Sequence, residues 1–333
     1  MSNFWSTQPV FGENDTSCTV NPKEQLPSGF SWGMCTKEEA QVFLLSHYVN
    51  TGTFKLAYAL KTLEWASTRL VAIRTTGNDI AGIIASSPLR YRVYTTEMDM
   101  SQINFLCVHS QYRNRELAPF LIKEITRLSN IDGIWQAIYT TQSKIPTPIT
   151  KSDYWHRFLD VKKLVDLGFH KTNRLRENYY NVRGPCIRSW REMTEADIEK
   201  VTRILKGYTQ KFDIAPVIDE DYVRRWVLPT RAYIADDGEE FISFYDIPYE
   251  RVDGGGTVQQ AYRFWIVGDV WNDAFLIAKN LGFHVFNTLG VGVDTENLER
   301  LKFMKGTGGL YYYLYNWNLS DAILPKDLHV IIP

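Results

Sequence analysis

Hydrophobic and polar positions in the first half of the chain predict an alternation of helices and strands. Thr36 and Glu39 form a capping-box pattern, and apolar residues up to Tyr48 follow at helical spacing, so a helix should begin near Thr36. A second helix is predicted at residues 118–128, with Pro119 tolerated in its first turn. Short apolar or alternating runs predict strands at residues 80–86, 90–94, 102–108 and 134–140.

The second half of the chain repeats this order of elements. Residues 193–197 should cap a helix that carries Ile198, Val201 and Leu205 and stops at Gly207. A later helix should be closed by Gly282. The predicted ranges are 273–281 for this helix and 241–245, 262–267, 283–289 and 310–315 for strands.

Matching junctions in the two halves indicate an internal repeat. Residues 132–134 match residues 281–283, and residues 167–169, before a predicted strand at 178–182, match residues 301–303. The matches lie roughly 130–160 residues apart, which predicts two copies of one α/β unit. The joint should lie at residues 182–188, where a Gly-Pro pair breaks both periodicities. The alternative is that a helix, a glycine and a strand follow one another in any α/β protein.

Length and composition are those of a two-domain globular protein. The chain has 333 residues, of which 44% are hydrophobic and 23% are charged. Its formal net charge of -1 provides no global field that would favour nucleic acid or an anionic membrane. Aromatic residues make up 14%, which suits a cleft for an apolar or extended ligand, although large cores also use them.

Cysteine usage and apolar runs restrict the class of protein further. Cys18, Cys35, Cys107 and Cys186 form no CxxC pair, so no metal site is expected, and their wide scatter favours reduced thiols. No run of about 18 apolar residues predicts a membrane span. The N-terminus lacks the basic and apolar regions of a signal peptide. We therefore expect a cytoplasmic protein without stable membrane insertion.

Residues 103–119 carry the most informative chemistry. A buried strand ends near His109, a short loop contributes Arg113 and Arg115, and a helix begins. The free N–H groups at a helix start and its positive dipole end favour a phosphate. This plan resembles the coenzyme-A pyrophosphate site of GCN5-related acetyltransferases. A capped surface helix beside two arginines is the ordinary alternative.

Seven short segments resemble, in order along the chain, signatures of the N-myristoyltransferase family. They are FWSTQPV (4–10), INFLCVH (103–109), QAIYT (136–140), YWHR (154–157), ISFY (242–245), VFN (285–287) and YLYNW (313–317). Several words of this length in a fixed order would rarely coincide by chance. The resemblance therefore covers essentially the whole catalytic core of the family.

This resemblance implies an α/β fold of two tandem halves, each like a GCN5-related acyltransferase (GNAT). The halves would be related by pseudo-twofold symmetry around a mixed, largely antiparallel, saddle-shaped sheet. Residues 1–183 would form the half that binds myristoyl-CoA. Residues 184–333 would bind the peptide and insert their C-terminus at the active site.

The resemblance also implies an acyltransferase reaction. Myristate would move from myristoyl-CoA, an acyl-donor substrate, to the α-amino group of an N-terminal glycine by direct attack on the thioester. The backbone amides of Phe105 and Leu106, freed from strand pairing by a bulge, would hold the oxyanion of the intermediate. An ordinary buried strand is the alternative for these two residues. No prosthetic group and no metal is implied.

The attacking amine must lose a proton. A glycine α-amine has a pKa of about 8, so any nearby base suffices. By resemblance the base is the C-terminal carboxylate, here Pro333, at the end of an apolar tail that could instead be a closing edge strand. The ring of Pro333 fixes φ and departs from the residue usual in the family. Asn104 and Thr140 would hold the amine, or else be ordinary polar residues at strand ends.

Further contacts are implied by the same resemblance. His156 matches the position that meets a serine hydroxyl of the peptide, with a structural histidine as the alternative, whereas His109 should be structural. The other peptide-groove candidates, each of which could be plain core, are Tyr48, Phe54, Leu56, Tyr154, Ser243, Tyr262 and Asn287. The implied myristoyl-CoA contacts are Asn3, Phe4 and Trp5 in an N-terminal arm, which could be a simple aromatic anchor, and Cys107, Val108, Arg113, Asn114, Arg115, Glu116, Leu117, Ala118 and Pro119.

Three departures from the family pattern bear on specificity. The loop at residues 49–53 has no carboxylate, and the glycine loop at residues 306–309 lacks the usual aspartate and follows Lys305. We therefore expect a weaker preference for lysine in the downstream part of the peptide than is usual. Glu116 replaces a basic residue in the phosphate loop, which should reduce the affinity for coenzyme A unless its side chain points outward or pairs with Arg113.

Two other functions stay open at this point. One is another GNAT-type N-acyltransferase with a different acyl group, and the other is a non-catalytic protein that binds acyl-CoA or protein N-termini. The expected partners are myristoyl-CoA and proteins or peptides with an N-terminal glycine. We expect a monomer that binds no nucleic acid and serves lipoprotein biosynthesis.

Overall fold

A computed structural model describes residues 18–48, 51–170, 177–319 and 321–332. Four residues with predicted roles, Asn3, Phe4, Trp5 and Pro333, lie outside the described residues.

Most strands of the described chain belong to one large open sheet. The 13-stranded sheet has the order β1-β3-β4-β5-β6-β16-β7-β15-β14-β11-β10-β8, with β9 added on β4, and a 3-stranded sheet has the order β13-β12-β2. The strands are β1 Phe30–Gly33, β2 Phe54–Leu56, β3 Arg69–Thr75, β4 Ile80–Val93, β5 Thr96–Val108, β6 Gln136–Thr141, β7 Thr150–Phe158, β8 Trp190–Glu192, β9 Ile214–Pro216, β10 Arg231–Ala235, β11 Phe241–Asp246, β12 Tyr249–Arg251, β13 Thr257–Val258, β14 Gln260–Val267, β15 Val285–Leu289 and β16 Met304–Tyr315.

The helices pack on this sheet or join its two ends. They are α1 Lys37–His47, α2 Leu60–Ala66, α3 Leu117–Ile131, α4 Val161–Asp166, α5 Glu177–Tyr180, α6 Ile198–Thr209, α7 Glu220–Tyr222, α8 Trp271–Asn280 and α9 Thr295–Arg300. Helix α1 begins with the predicted capping box, in which Thr36 accepts from the Glu39 amide and Glu39 accepts from the Thr36 amide.

The same connection occurs on both sides of the sheet centre. Strands β4 and β5 are antiparallel, α3 follows, and β6 returns parallel to β5. Strands β11 and β14 are likewise antiparallel, α8 follows, and β15 returns parallel to β14. The last strands of the two units are exchanged in the sheet. Strand β16 of the second unit lies between β6 and β7, and β7 of the first unit lies between β16 and β15. The α/β class and the mixed, mainly antiparallel sheet are confirmed, and this repetition fits the predicted duplication.

Both antiparallel pairs contain a bulge at the corresponding place. The register between β4 and β5 shifts between Ile83 and Ala85, and the register between β11 and β14 shifts between Ser243 and Phe244. A bulge bends its strand and disrupts pairing locally. The regular strand pairing is therefore interrupted in both halves of the sheet.

Helix α3 shows how an amphipathic sequence positions the site. Its residues Leu117, Leu121 and Ile125 are buried against β3 and β4, as the predicted periodicity requires. The residues next to this stripe, including Ile122, instead face the interior of a cavity beside β5. The helix thus closes one side of that cavity.

Several predicted elements differ from the observed ones. The two strands predicted at residues 80–86 and 90–94 are one strand, β4, which ends at Val93, because Pro88 lies in register opposite Ser101 and does not interrupt the ladder. Helix α6 continues past Gly207 to Thr209. A helix tolerates such a glycine because the cost is only about 1 kcal/mol.

The predicted strand at residues 178–182 is wrong. Helix α5 occupies Glu177–Tyr180, and Arg157 donates to the carbonyl of Tyr180 at 2.8 Å, which fixes this segment beside β7. The first unit therefore ends in β7, the strand that corresponds to β16. From the match of residues 167–169 with residues 301–303, the last strand of the first unit was predicted at residues 178–182. This strand is β7, Thr150–Phe158, which precedes the matched residues.

The two units are joined by an aromatic core at α2. The ring of Trp65 contacts those of Trp226, Tyr245 and Phe264. Its Nε1 donates to the carbonyl of Trp226 at 3.0 Å. Since Trp65 comes from the first unit and the other three residues from the second, the two halves share one core.

Candidate active site

A large cavity runs between the two units. Its volume is about 1010 Å³, and its wall includes residues from both halves of the sheet. One part of the wall is apolar and comes from β5, α3 and the approach to β6: Ile103, Leu106, Ile122, Ile125 and Ile134. Another part is aromatic and polar: Tyr48, Tyr58, Tyr154, His156, Gln260 and Tyr262. The cavity wall therefore has an apolar part, which we call the apolar channel, and an aromatic and polar part, which we call the polar groove.

The bulge in β5 connects these two parts, since Leu106 belongs to the apolar part and the ring of Phe105 contacts those of Tyr48 and Tyr58. Ile83 pairs with Cys107 and Ala85 with Asn104, so that Phe105 and Leu106 together face Ile84 alone. Phe105 has a φ of 54°, a left-handed conformation that is uncommon for a bulky residue. On the other edge, the pairing of β5 with β6 ends at Gln102. The main chain at Phe105 and Leu106 has thus left the regular ladder, as the family resemblance implies, and both residues line the cavity.

Asn104 presents an unused hydrogen-bond acceptor beside the bulge. Its side chain is 4% exposed, and its Nδ2 donates to the carbonyl of Ala66 at 2.8 Å. Its Oδ1 has no hydrogen-bond partner among the described residues. Thr140 on β6 lines the same cavity. A buried acceptor without a partner is costly, so a donor on a bound ligand is the natural partner of Oδ1.

A polar chain links three residues in the opposite wall. Nδ1 of His156 is 2.7 Å from Oδ1 of Asn287, and Nδ2 of Asn287 donates to Oε1 of Gln260 at 2.8 Å. Burial lowers the pKa of His156, although the contact with Asn287 opposes this shift. His156 is therefore a neutral imidazole near pH 7.

The glycine loop passes close to the His156 ring. Residues 306–308 bulge from β16, because Lys305 pairs with Trp155 and Gly309 pairs with Asp153. A Cβ atom on Gly306 would come within 2.6 Å of Nε2 of His156. The close approach of this loop to the ring therefore requires a glycine at position 306.

Tyrosines form much of the groove wall and stay neutral. Burial raises the pKa of Tyr48 to about 12 and raises the pKa values of Tyr58, Tyr154 and Tyr262 well above the usual value. Their hydroxyl groups are therefore un-ionised at physiological pH. They can bind a peptide through hydrogen bonds and ring contacts without adding charge.

The loop between β5 and α3 carries the predicted phosphate contacts on its surface. Residues 110–115 form a 3-10 turn, and the side chains of Arg113, Asn114, Arg115 and Glu116 are exposed. Arg113 donates to the carbonyls of Val108 and His47, not to Glu116. Glu116 has a φ of 55° and makes no side-chain cap bond to α3. The amides at the start of α3 are thus not covered by the Glu116 carboxylate.

Cys107 lies next to the bulge but is poorly suited to nucleophilic attack. Burial raises its pKa to about 12, so it is a thiol at neutral pH. The four cysteines of the described chain, Cys18, Cys35, Cys107 and Cys186, are free. Within the described ranges no group of three or more His, Cys, Asp or Glu side chains could hold a metal ion, and no helix is long and apolar enough to span a membrane.

The structure brings together most of the predicted catalytic and peptide-groove residues, but none of the predicted myristoyl-CoA contacts lies on the described cavity wall. Those on the cavity wall are Tyr48, Leu56, Asn104, Phe105, Leu106, Thr140, Tyr154, His156 and Tyr262. Phe54 lies behind this wall, where its ring packs on those of Phe169 and Tyr249. Ser243 is fully buried and bonds to Thr230 at 2.9 Å, and Asn287 is fully buried between His156 and Gln260.

Sequence reasoning missed other residues of the wall, among them Tyr58, Tyr249 and Gln260. Gln260 precedes Tyr262 by two positions on β14, and side chains two positions apart point to the same face of a strand. This period-two relation was the available signal for Gln260. Tyr58 follows β2 and Tyr249 begins β12, and the pairing of these two short strands joins distant parts of the chain, so no local signal marked either residue.

Family models match almost the whole chain. The model described as the N-terminal domain of myristoyl-CoA:protein N-myristoyltransferase matches residues 13–152. The model for the C-terminal domain of the same family matches residues 169–329.

Curated relatives match over similar lengths. The chain is 34% identical to glycylpeptide N-tetradecanoyltransferase 1 of Arabidopsis thaliana, over 99% of this chain and 88% of the plant protein. It is also 34% identical to glycylpeptide N-tetradecanoyltransferase 2 of Danio rerio, over 94% of this chain and 74% of the fish protein.

The fold is also shared with a solved structure. The crystal structure of Saccharomyces cerevisiae N-myristoyltransferase with bound myristoyl-CoA has a TM-score of 0.84, over 94% of this chain and 89% of the yeast chain. At 23% identity this likeness concerns the fold alone. The matches to both family models and to the curated relatives show that the chain belongs to the myristoyl-CoA:protein N-myristoyltransferase family.

Proposed function

We propose that this enzyme transfers myristate from myristoyl-CoA to the α-amino group of an N-terminal glycine by direct attack on the thioester. The amine nitrogen forms a bond to the thioester carbon, the carbon–sulfur bond breaks, and coenzyme A leaves as a thiol while the amine gives up a proton. The observation that carries this proposal is the bulge at Phe105 and Leu106, which opens the main chain at the junction of the apolar channel and the polar groove. Myristoyl-CoA is a substrate here, and no prosthetic group takes part.

The bulge is suited to stabilise the developing oxyanion. The amides of Phe105 and Leu106 would hold the thioester oxygen as it gains charge. Each donor at such an oxygen contributes roughly 10²–10³-fold in rate. The support comes from the shifted register and the left-handed φ of Phe105, since a regular ladder would commit these N–H groups to a neighbouring strand.

Asn104 and Thr140 would bind the incoming amine. Asn104 lines the cavity, its buried Oδ1 has no partner among the described residues, and the glycine ammonium or amine is a donor. The proton acceptor that we propose is the carboxylate of Pro333. In support, Val330 and Ile331 are buried and Ile332 lies on the cavity wall, so the described tail leads to the site.

The two units would divide the substrates between them. We assign residues 1–183 to myristoyl-CoA, with the 107–119 segment, including Cys107, Val108, Leu117, Ala118 and Pro119, at the coenzyme and the arm residues Asn3, Phe4 and Trp5 beside it. Residues 184–333 would supply most of the peptide site. In support, the apolar wall comes from β5, α3 and β6, whereas Tyr249, Gln260 and Tyr262 come from the second unit.

The test is incubation with an equimolar mixture of acyl-CoA donors and octapeptides that begin with glycine or, as controls, with alanine. We expect repeated turnover, with a mass gain of one myristoyl group on the glycine peptides alone. Transfer of a shorter acyl group would show a different N-acyltransferase. Binding of one equivalent without turnover would show a non-catalytic acyl-CoA protein.

We further propose that the enzyme works as a cytoplasmic monomer in lipoprotein biosynthesis. One chain supplies both parts of the cavity wall, so no second copy is needed to complete it. The free cysteines of the described chain suit a reducing compartment. Light scattering at assay concentration and fractionation of source cells test these two points.

A further inference from the structure

The wall of the apolar channel becomes polar with distance from the bulge. On β5 the wall residue Ile103 is preceded, two positions earlier and so on the same face of the strand, by Ser101. On α3 the wall changes in the same way, from Ile122 near the start of the helix to Ser129 near its end. Ser101 and Ser129 are 3% and 5% exposed, and their Oγ atoms are 2.7 Å apart. Strand and helix thus both place a serine in the far part of the wall.

The hydroxyl groups in this part of the wall use their protons within the protein. Oγ of Ser129 donates to the carbonyl of Ile125 at 2.9 Å, so it accepts the proton of Ser101. Thr126, a third wall residue, donates to the carbonyl of Ile122 at 2.8 Å. We call Ser101, Thr126 and Ser129 the hydroxyl cluster. Because only lone pairs remain available on these oxygens, the cluster suits a ligand that brings a donor.

The hydroxyl cluster lies at the depth that the end of a fourteen-carbon chain reaches. Ser101 precedes Leu106 by five positions, which is about 15 Å along β5 at roughly 3.3 Å per residue. An extended fourteen-carbon acyl chain measures about 16 Å from its carbonyl carbon to its methyl group, given carbon–carbon bonds of about 1.5 Å. With the thioester at the bulge, as proposed above, the last few carbons would therefore lie beside Ser101. Ala137, the partner of Ser101 on β6, also lines the cavity and has only a short side chain.

A purely hydrocarbon end makes no hydrogen bond to this cluster, whereas a hydroxyl group in a fully apolar channel would lose its bonds to water without replacement. We propose that the enzyme accepts, besides myristoyl-CoA, acyl-CoA donors of the same length that carry a hydroxyl group near the ω end. The ligand hydroxyl donates to Oγ of Ser101, and Ser129 is a positioning residue that keeps the proton of Ser101 away from the ligand. This inference rests on the proposed function, because it takes the thioester to lie at the bulge.

The test compares acyl-CoA donors that differ by one oxygen atom. A hydroxyl group is placed in turn on each of the last five carbons of myristoyl-CoA, and kcat/KM with a glycine octapeptide is divided by the value for myristoyl-CoA itself. We expect this ratio to peak at one position, about ten-fold above the lowest position, because only there does the buried hydroxyl regain a hydrogen bond. Donors with an ether oxygen in place of an internal carbon, which can only accept, should show no peak. This scan of the wild-type enzyme needs no variant to fold.

Ser101→Ala removes the proposed acceptor and should reduce the peak to about two-fold or less. The loss should appear as a higher KM for the hydroxylated donor with unchanged kcat, because the contact is remote from the thioester. The matched control is Ser152→Ala, at a serine of β7 that is 2% exposed and does not line the described cavity, and it should keep the peak. Ser129→Ala releases the proton of Ser101, so in this variant the ether donors should also show a peak.

A wild-type peak that Ser101→Ala abolishes and Ser152→Ala keeps supports the assignment. A flat scan of the wild-type enzyme, or a peak that survives Ser101→Ala, overturns it while transfer of myristate stands. If the ether donors show no peak in Ser129→Ala, the positioning role of Ser129 is wrong. Absence of transfer from every donor, myristoyl-CoA included, would instead overturn the proposed function and this inference with it.

Discussion

In the proposed reaction, Asn104 would combine a structural and a substrate-binding bond in one side chain. Its amide nitrogen donates to the carbonyl of Ala66, at the end of α2, and its buried oxygen has no hydrogen-bond partner among the described residues. The first bond fixes the orientation of the amide group, so the proposed acceptor would be positioned before substrate arrives. Positioning of this kind reduces the entropy lost when substrate and catalyst meet.

For this reason, Asn104→Ala should lower kcat/KM for a glycine peptide by about 10- to 100-fold, the range expected for loss of a hydrogen bond to a charged group. Steady-state kinetics with saturating myristoyl-CoA provide the measurement. Asn272→Ala, at an exposed position of α8, is the matched control and should leave kcat/KM unchanged. A similar loss in both variants would contradict a specific role for Asn104.

At the scale of elements, the glycine bulge of β16 sets the charge beside the peptide groove. Asp153 lies between Lys305, at 2.7 Å, and Lys151, at 2.9 Å. Burial alone would raise the pKa of Asp153, but hydrogen bonds from both lysines hold it below its usual value. The carboxylate is thus ionised and already paired, and this group carries one net positive charge.

Accordingly, lysine in the downstream part of the peptide should not improve kcat/KM over alanine in the wild-type enzyme. Lys305→Glu should reverse this, with a gain of about two- to five-fold for the lysine peptide, a size typical of exposed charge pairs. The gain should shrink at high salt. Lys326→Glu, at an exposed residue of the 3-10 turn Pro325–Asp327, is the control. A strong lysine preference in the wild-type enzyme would contradict the prediction.

The start of α6 depends on one carboxylate. Asp197 accepts from both terminal nitrogens of Arg191 and from the Thr194 amide, completing a capping box. The hydrogen bonds from Arg191 hold the pKa of Asp197 well below its usual value, and burial opposes this only in part.

A depressed carboxyl pKa stabilises the folded state above the pKa of the unfolded chain, about 3.9, and this contribution is lost as the pH falls toward the folded value. Asp197→Ala should therefore lower the free energy of unfolding by about 2 kcal/mol at pH 7, and the difference from wild type should diminish below about pH 4. Urea unfolding at several pH values measures this. Glu199→Ala, exposed in the same helical turn, should change the free energy of unfolding little, and an equal loss there would count against a specific cap.

At the scale of the whole molecule, the two units are interleaved rather than merely adjacent. Strand β16 pairs with β6 on one side and β7 on the other, and Trp65 contacts three aromatic residues of the second unit. Neither half can therefore complete its sheet or its core alone.

Thermal unfolding should thus occur as one cooperative transition. Leu314→Ala, which creates a cavity in the buried part of β16, should lower stability by about 2–5 kcal/mol and shift every probe of unfolding together. Calorimetry and near-ultraviolet circular dichroism check this. Two transitions, with only one of them sensitive to Leu314→Ala, would show that the units unfold independently.

The sequence was most informative where local pattern and structure coincide. The capping boxes at Thr36 and Thr194, the apolar face of α3 and the buried run of β5 were all predictable, because each depends on residues close together in the chain. The resemblance to a family was needed for the bulge at Phe105, since nothing local predicts a positive φ for a phenylalanine.

Features that depend on distant pairing could not be predicted. Strand β4 continues through Pro88 because β5 lies alongside it, and residues 177–180 are helical partly because Arg157 binds their end. The polar chain from His156 to Gln260 joins three strands, β7, β15 and β14, whose order was unknown from the sequence. Gln260 therefore gave no sign of its neighbours.

The position of β16 has a consequence for biosynthesis. A ribosome makes β6 and β7 long before Met304–Tyr315, so the first unit emerges with a vacant slot between these two strands. Nascent chains with open strand edges are prone to pair with the wrong partner. Closure of the catalytic cavity must therefore await the end of translation, and a nascent-chain chaperone would find its target in the gap between β6 and β7.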